Sequence, residues 1–147
     1  MRLIGQRMAE LAPSDEVTAS VLAQIAWKAG FPDSAARLLG GMSGARSSDA
    51  RASGVFFLIM AGHRQQAESL AAQIQREVAR SGRLSDLMAV YAALGDNDKM
   101  IATLNRAIDK LDAGLTSAQL VQSPVYDKAR KDPRFVAALT RMNLKLP

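Results

Sequence analysis

The side chains that could do chemistry are few in this chain. There is one histidine, His63, and no cysteine. A histidine can serve as general base or metal ligand, because its ring titrates near neutral pH and either nitrogen can coordinate. His63 is a lone histidine at a Gly-His turn, for which a structural or solvated role is the expectation. Gly41-Met42-Ser43-Gly44-Ala45 has the outline of a nucleophile elbow with its last glycine replaced. It lacks the strand that should precede it and a His–acid pair to activate the serine. Asp96, Asn97 and Asp98 bring oxygens together as a calcium loop does, but the loop is short and lacks the remaining ligands. A turn followed by a helix cap is the better reading of these three residues. No glycine-rich phosphate loop occurs, and without cysteine there is no disulfide framework, thiolate nucleophile or Cys-based metal site. The chain is therefore expected to be non-catalytic, with no cofactor and no metal.

Charge and hydropathy narrow the partners. The formal net charge is +5 over 147 residues, which admits nucleic acid or an acidic protein as a partner. The basic residues are scattered, however, and their densest cluster, Lys128-Ala129-Arg130-Lys131-Asp132-Pro133-Arg134, is short and interrupted by acid. A solvated surface is expected, with nucleic-acid binding through Lys128, Arg130, Lys131 and Arg134 the weaker option, recognisable by steep salt dependence. The longest apolar run, Val55 to Ala61, falls well short of the roughly 20 residues a spanning helix needs. The opening Met1-Arg2-Leu3-Ile4-Gly5-Gln6-Arg7 is followed by no apolar h-region, so no signal peptide is expected. Together these point to a soluble, cytoplasmic protein without a membrane partner.

Hydrophobic residues make up 48% of the chain and aromatics 5%. An Ala-, Leu- and Met-rich core suits close helix packing, whereas a sheet would draw on β-branched and aromatic residues. The length fits one domain, 1–147. The expected fold is all-α. Residues 2–11 place Leu3, Ile4, Met8 and Leu11 on one helical face, Pro13 breaks the helix and Ser14 can cap the next. That helix runs to about Ala29 with Val21, Leu22, Ile25 and Ala26 as its buried stripe. A turn at 30–33 leads to a short helix from Ser34 to Leu39, and Asp49 can cap a strongly apolar helix over 50–61. A long helix, 64–80, carries Ala67, Leu70, Ala71, Ile74 and Val78 in register. The clearest hairpin follows, with Leu84, Leu87, Met88 and Tyr91 before Gly95 and Met100, Ile101, Leu104 and Ile108 after it, the second helix capped by Asn97 or Asp98. Further short helices are expected around 118–121, over 124–130 after Ser123-Pro124, and over 133–142 after Asp132-Pro133, the last packing through Phe135, Val136, Leu139 and Met142.

Gly30, Gly62 and Gly95 close first helices alike, at separations of 32 and 33 residues. A helical hairpin recurring at that interval marks a solenoid, in which each unit buries its apolar face against its neighbours. The residues resemble the tetratricopeptide repeat (TPR), a helix pair with Trp-x2-Leu-Gly-x2-Tyr in its first helix and Ala-x3-Phe, a later small residue and then Pro in its second. Leu84, Leu87 and Tyr91 take the Trp, Leu and Tyr places, Leu104 the Phe place and Ala107 the small one. Met88 and Met100 replace small residues of the pattern. Around Gly30, Ala23, Ala35 and Leu39 match while Ala26 stands at the Tyr place. Around Gly62, Leu58 and Ala67 match while Gly54 and Ala71 stand at the Leu and Phe places. Residues 2–11 look like the second helix of a repeat, followed by Leu11-Ala12-Pro13-Ser14 where the family has its boundary. Ser-Pro-x-Tyr-Asp-x-x-Arg-x-Asp-Pro-Arg-Phe at 123–135 resembles the ending of bacterial TPR arrays.

The resemblance implies a right-handed α-solenoid: a half-repeat over 2–11, repeats over about 15–42, 49–80 and 82–112, and a capping tail over 115–147. It implies the C-terminal part of a longer array, as in larger bacterial regulatory proteins, or else an array that starts on a half-repeat. It also implies a concave groove lined by first helices, at Ser20, Gln24, Trp27 and Lys28, then Ala52, Phe56, Ile59 and Met60, then Ser85, Ala89, Ala92 and Ala93. The apolar part, Trp27-Phe56-Ile59-Met60 with Gln24 and Lys28 beside it, would receive an amphipathic helix or extended apolar peptide, unless it is core filled by the chain itself. The clamp that some family members use for an acidic chaperone tail needs Lys and Asn where this chain has Ser20 and Gln24, so that ligand is not expected. The expected function is a protein-interaction scaffold. The alternative is homodimerisation through Leu3, Ile4, Met8 and Leu11.

Overall fold

The computed structural model describes residues 16–40 and 48–146. The helix expected over 2–11, the Ser14 cap and the Gly41–Ala45 segment lie outside the described residues. So does the self-association face of Leu3, Ile4, Met8 and Leu11. Among the described residues the fold is all-helical, with no strand. The helices are α1 (Glu16–Lys28), α2 (Pro32–Gly40), α3 (Ser48–Met60), α4 (Arg64–Ser81), α5 (Leu84–Leu94), α6 (Asn97–Asp109), α7 (Ser117–Gln122) and α8 (Pro133–Arg141). Two 3-10 turns, η1 (Pro124–Tyr126) and η2 (Ala129–Lys131), lie between the last two helices. The chain divides into two compact units, Met1–Leu70 and Ala71–Pro147, with the division inside α4.

Three turns share one hydrogen-bond pattern. Gly30, Gly62 and Gly95 have φ of 84°, 82° and 78°, a left-handed conformation that glycine adopts without the Cβ penalty of other residues. Their N–H groups donate to the carbonyls of Trp27, Ile59 and Ala92, and the following N–H groups to those of Ala26, Leu58 and Tyr91. Each helix thus satisfies its last carbonyls in a Schellman motif, and the next helix begins at once. The residue four places into each second helix, Ala35, Ala67 or Met100, is completely buried.

In the first unit α1 packs on α2, α2 on α3, and α1 on α3. The core of α1 is Ala19, Ala23 and Ala26. Of the expected stripe, Ala26 is buried and Leu22 half-buried, but Val21 is 51% exposed and Ile25 49%. Small side chains let two helix backbones approach closely, so α1 turns its alanines inward and leaves the larger residues outside. Gly54 of α3 lies where an added Cβ would be 3.5 Å from the Leu70 side chain and 3.8 Å from Leu39 Cβ. A methyl group there would meet both neighbours at ordinary van der Waals distance. α2 starts at Pro32, earlier than Ser34, because proline at the first helical position gives up no hydrogen bond. α3 starts at Ser48, so Asp49 lies inside its first turn and does not precede it.

In the second unit α5 and α6 form the hairpin, closed by Met88, Met100, Leu104 and Ala107. The cap of α6 is Asp96, whose carboxylate accepts the N–H of Lys99 at 3.1 Å, and neither Asn97 nor Asp98 fills that role. The chain then returns across the hairpin: η1 packs on α5, and α8 on α6. The stretch after Ser123-Pro124 forms two 3-10 turns and not a helix over 124–130. Arg130 bridges this stretch to the end of α7. Its guanidinium donates to the carbonyls of Leu120 (3.2 Å) and Ser123 (2.6 Å) and pairs with Asp127. That arrangement supplies donors to carbonyls at the C-terminal end of α7. Tyr126 stacks on Phe135 at 6.2 Å between ring centroids, both buried. Asp132 caps α8 as expected, accepting from the Arg134 N–H at 2.9 Å. The buried face of α8 is Phe135, Ala138 and Leu139, while Val136 is exposed.

Candidate surface for a protein partner

The sequence places Trp27 at the last turn of α1 and Phe56 on α3, and packing of these two helices brings the rings together. Their centroids are 5.6 Å apart in an edge-to-face arrangement. Phe57, which the sequence reading did not single out, completes the cluster. It lies 5.4 Å from Phe56 and 6.1 Å from Trp27 and is fully buried. Edge-to-face geometry aligns the positive ring edge with the negative face of its neighbour, adding about 0.5–1.5 kcal/mol per pair beyond burial. Phe57 therefore anchors the two outer rings from beneath. One signal for it was available: adjacent phenylalanines on a helix sit about 100° apart, so if one faces outward the other turns towards the core.

Trp27, Phe56 and Ile59 are only partly covered, and Met60 is 48% exposed. Gln24 is half-buried one turn before Trp27, and the Lys28 side chain is exposed beside it. The result is an apolar surface with a rigid aromatic base, a flexible methionine and polar groups alongside. Methionine adapts its shape to what packs against it, while paired rings do not. Of the other positions mapped to a groove, Ser20 is half-buried, and Ala52, Ser85, Ala89, Ala92 and Ala93 are buried. Ser85 is bonded within the fold, its hydroxyl 3.3 Å from the Asp112 carboxylate.

The remaining chemically capable residues are used internally. His63 Nε2 lies 3.3 Å from Asp33 Oδ1, linking the turn after α3 to the first turn of α2, and both side chains are exposed. Of the basic tail residues, Arg130 is engaged with Leu120, Ser123 and Asp127. Arg134 forks between Asp132 and Asp98, 2.8 Å from each. Lys128 and Lys131 are exposed. Arg141 reaches Asn105 at 2.7 Å and also pairs with Asp109. Arg134 and Arg141 thus tie α8 to the hairpin, and Arg130 ties the 3-10 turns to the end of α7. Exposed pairs of this kind are worth about 0–1 kcal/mol each, so they orient α8 more than they stabilise it. Among the described residues no group of three or more His, Asp or Glu side chains is placed to hold a metal ion, and no helix is long and apolar enough to cross a membrane. No family model matches the chain, and neither a curated protein nor a solved structure does.

Proposed function

We propose that this chain is a non-catalytic interaction scaffold of the TPR kind, whose hairpins form a right-handed solenoid and whose Trp27–Phe56–Ile59–Met60 surface receives an amphipathic helix of a partner protein. The observation that carries the reading is the aromatic cluster itself: two partly exposed rings held in fixed geometry by a buried third. A rigid aromatic anchor beside an adaptable methionine is what hot spots of helix-binding surfaces are made of. The recurrent Gly30, Gly62 and Gly95 turns and the residue matches to the repeat support the solenoid part. The tail motif supports placement near the end of a larger bacterial regulatory array working in the cytoplasm. No catalytic role is assigned to His63.

The chain's only tryptophan lies in the surface to be tested. Titration with amphipathic helical peptides should shift Trp27 emission to the blue, saturably. Phe56→Glu and Met60→Glu should lower affinity by about thirtyfold or more, the scale of a hot-spot loss, with helical circular dichroism unchanged. If Trp27 emission ignores every peptide, and capture of a partner by the full chain is the same for Trp27→Ala and Phe56→Glu as for the native protein, the groove reading is wrong.

A further inference from the structure

The chain holds no cysteine, so methionine is the only sulfur it offers to an oxidant. Among the described residues its methionines are placed unequally. Met88 and Met100 are closed inside the second unit, 1% and 0% exposed, and Met142 is half-buried. Met60, the last residue of α3, is 48% exposed. Phe56 stands four residues before it, so the thioether and that ring are neighbours on one helical face. Phe56 in turn packs edge to face with Trp27. The most exposed of the described methionines therefore lies on the apolar surface already proposed for docking. Its flexible thioether suits that surface only while it stays apolar.

We infer that Met60 is an oxidation site, and that its conversion to the sulfoxide by peroxide switches off docking at the Trp27–Phe56 surface. The inference rests on the reading of that surface as a docking site and names its regulation. In the step itself the thioether sulfur attacks one oxygen of hydrogen peroxide. An S–O bond forms as the O–O bond breaks, and the displaced hydroxide takes the remaining proton and leaves as water. Sulfur is oxidised by two electrons and the peroxide is reduced by two. The product is a polar side chain of unchanged length. A partner's apolar face would then cover a strong acceptor beside Phe56 and Ile59, whose side chains have no donor for it. That cost falls on the bound state, because in the free chain the oxidised side chain keeps its access to water. The core is spared, since the Met88 and Met100 sulfurs are shielded from the reagent. A methionine sulfoxide reductase supplied with a dithiol reverses the change, with the dithiol oxidised to a disulfide and the oxygen released as water.

Graded hydrogen peroxide on the full chain, followed by peptide mapping in the mass spectrometer and binding measurements on the same samples, tests it. The probes are amphipathic helical peptides built without Met, Cys or Trp, so that only the protein is oxidised. Met60 should gain one oxygen well before Met88 and Met100, while Trp27 gains none and helical circular dichroism is unchanged. Peptide affinity should fall in step by about tenfold or more, the scale of one lost apolar side-chain contact, and the reductase should restore it. In Met60→Leu, whatever its own affinity, peroxide should leave that affinity where it was. The inference is overturned if Met60 oxidises no faster than Met88 and Met100, or if the sulfoxide form binds peptide as the reduced form does. It is equally overturned if Met60→Leu loses as much affinity to peroxide as the native chain, which would assign the effect to another methionine. Those three outcomes leave the docking reading standing. A reduced native chain that binds none of the peptides overturns that reading, and the inference with it.

Discussion

The carboxylate of Asp112 caps α5 from outside that helix, accepting the backbone N–H of Ser85 at 3.1 Å and the Ser85 hydroxyl at 3.3 Å. The residue at the cap position itself, Arg83, makes no side-chain cap bond. Asp112 also accepts the N–H of Gly114 at 2.8 Å and bonds the N–H of Leu84. A single carboxylate thus satisfies the first donors of α5, lies at the positive end of its dipole, and holds the turn that follows α6. The two ends of the hairpin are joined by an interaction between residues 27 apart in the chain.

Replacement of Asp112 should therefore behave as the loss of a helix cap. Asp112→Ala is expected to cost about 1–2 kcal/mol near neutral pH in urea unfolding, and Asp112→Asn less, since it keeps one acceptor. Burial opposes ionisation of this carboxyl and is the largest single influence. The bonds from Gly114, Ser85 and Leu84 together outweigh it and hold the group below its ordinary value of 3.8. A carboxyl lowered on folding contributes fully above its unfolded pKa and loses that contribution as pH falls through its folded one. The gap between native protein and Asp112→Ala should accordingly be constant above about pH 5 and narrow on acidification below the unfolded value. A gap that widens in acid would show that the carboxylate is not what stabilises this end of α5.

Gly114 sits against the same contact. An added Cβ there would lie 2.1 Å from Ser85 Oγ and 3.0 Å from Ser85 Cβ. Gly114→Ala must therefore push the hydroxyl away from Asp112 or move the turn, at about 1–3 kcal/mol. The closer clash is with the hydroxyl, so in a Ser85→Ala background the cost should fall. A double-mutant cycle measures this directly: additive costs would mean that the turn, not the Ser85 hydroxyl, absorbs the strain.

Gly54 presents the opposite case. It lies in the interior of α3, where glycine weakens a helix by about 0.5–1 kcal/mol relative to alanine. The space beside it accepts a methyl group at ordinary contact distances of 3.5 Å to Leu70 Cδ2 and 3.8 Å to Leu39 Cβ. Gly54→Ala should raise stability by about that amount, seen as a higher urea midpoint at constant slope. Gly54→Leu, which places the repeat pattern's own residue there, should destabilise, because Leu70 and Leu39 already occupy the space. Leucine tolerated without loss would imply that this crossing is wider than the contact distances indicate.

What could be read from the residues followed their local physics. Gly30, Gly62 and Gly95 were legible as turns because the left-handed conformation selects glycine, and the Asp132-Pro133 start of α8 because a cap followed by proline has one strongly favoured use. The orientation of α1 was not legible. Apolar residues occur nearly all round it, and whether Val21 and Ile25 or Ala19 and Ala23 face inward depends on how closely α2 approaches. The choice among Asp96, Asn97 and Asp98 as cap turned on a geometric overlap: Asp96 N–H closes the α5 motif on Tyr91 while its carboxylate opens α6 on Lys99. That Trp27 and Phe56 belong to one apolar patch was expected from the sequence, and their rings do meet. Phe57 beneath it, and Asp112 reaching back to Ser85, depend on tertiary contacts that no local pattern encodes.

The Schellman turns also provide an internal comparison of side chains at one backbone position. After α6, Leu111 N–H donates to the Ile108 carbonyl and Asp112 N–H to that of Ala107, the same pattern that Gly95 and Asp96 make after α5. Gly95 meets the positive φ without a Cβ; Leu111 meets it at φ 51° with one. The left-handed conformation costs a non-glycine residue about 1–2 kcal/mol, offset in part because glycine gives the unfolded chain more freedom. Gly95→Ala should therefore destabilise by about 1 kcal/mol, with nothing within 4 Å of its added Cβ to blame for the loss. Leu111→Gly should stabilise by about 0.5–1 kcal/mol, since the exposed side chain gives up little packing. Both are read by thermal unfolding at a concentration low enough that association contributes nothing to stability. The two substitutions should then move the midpoint in opposite directions. A loss of stability in Leu111→Gly at that dilution would mean that the leucine is packed within its own unit more closely than its 89% exposure indicates.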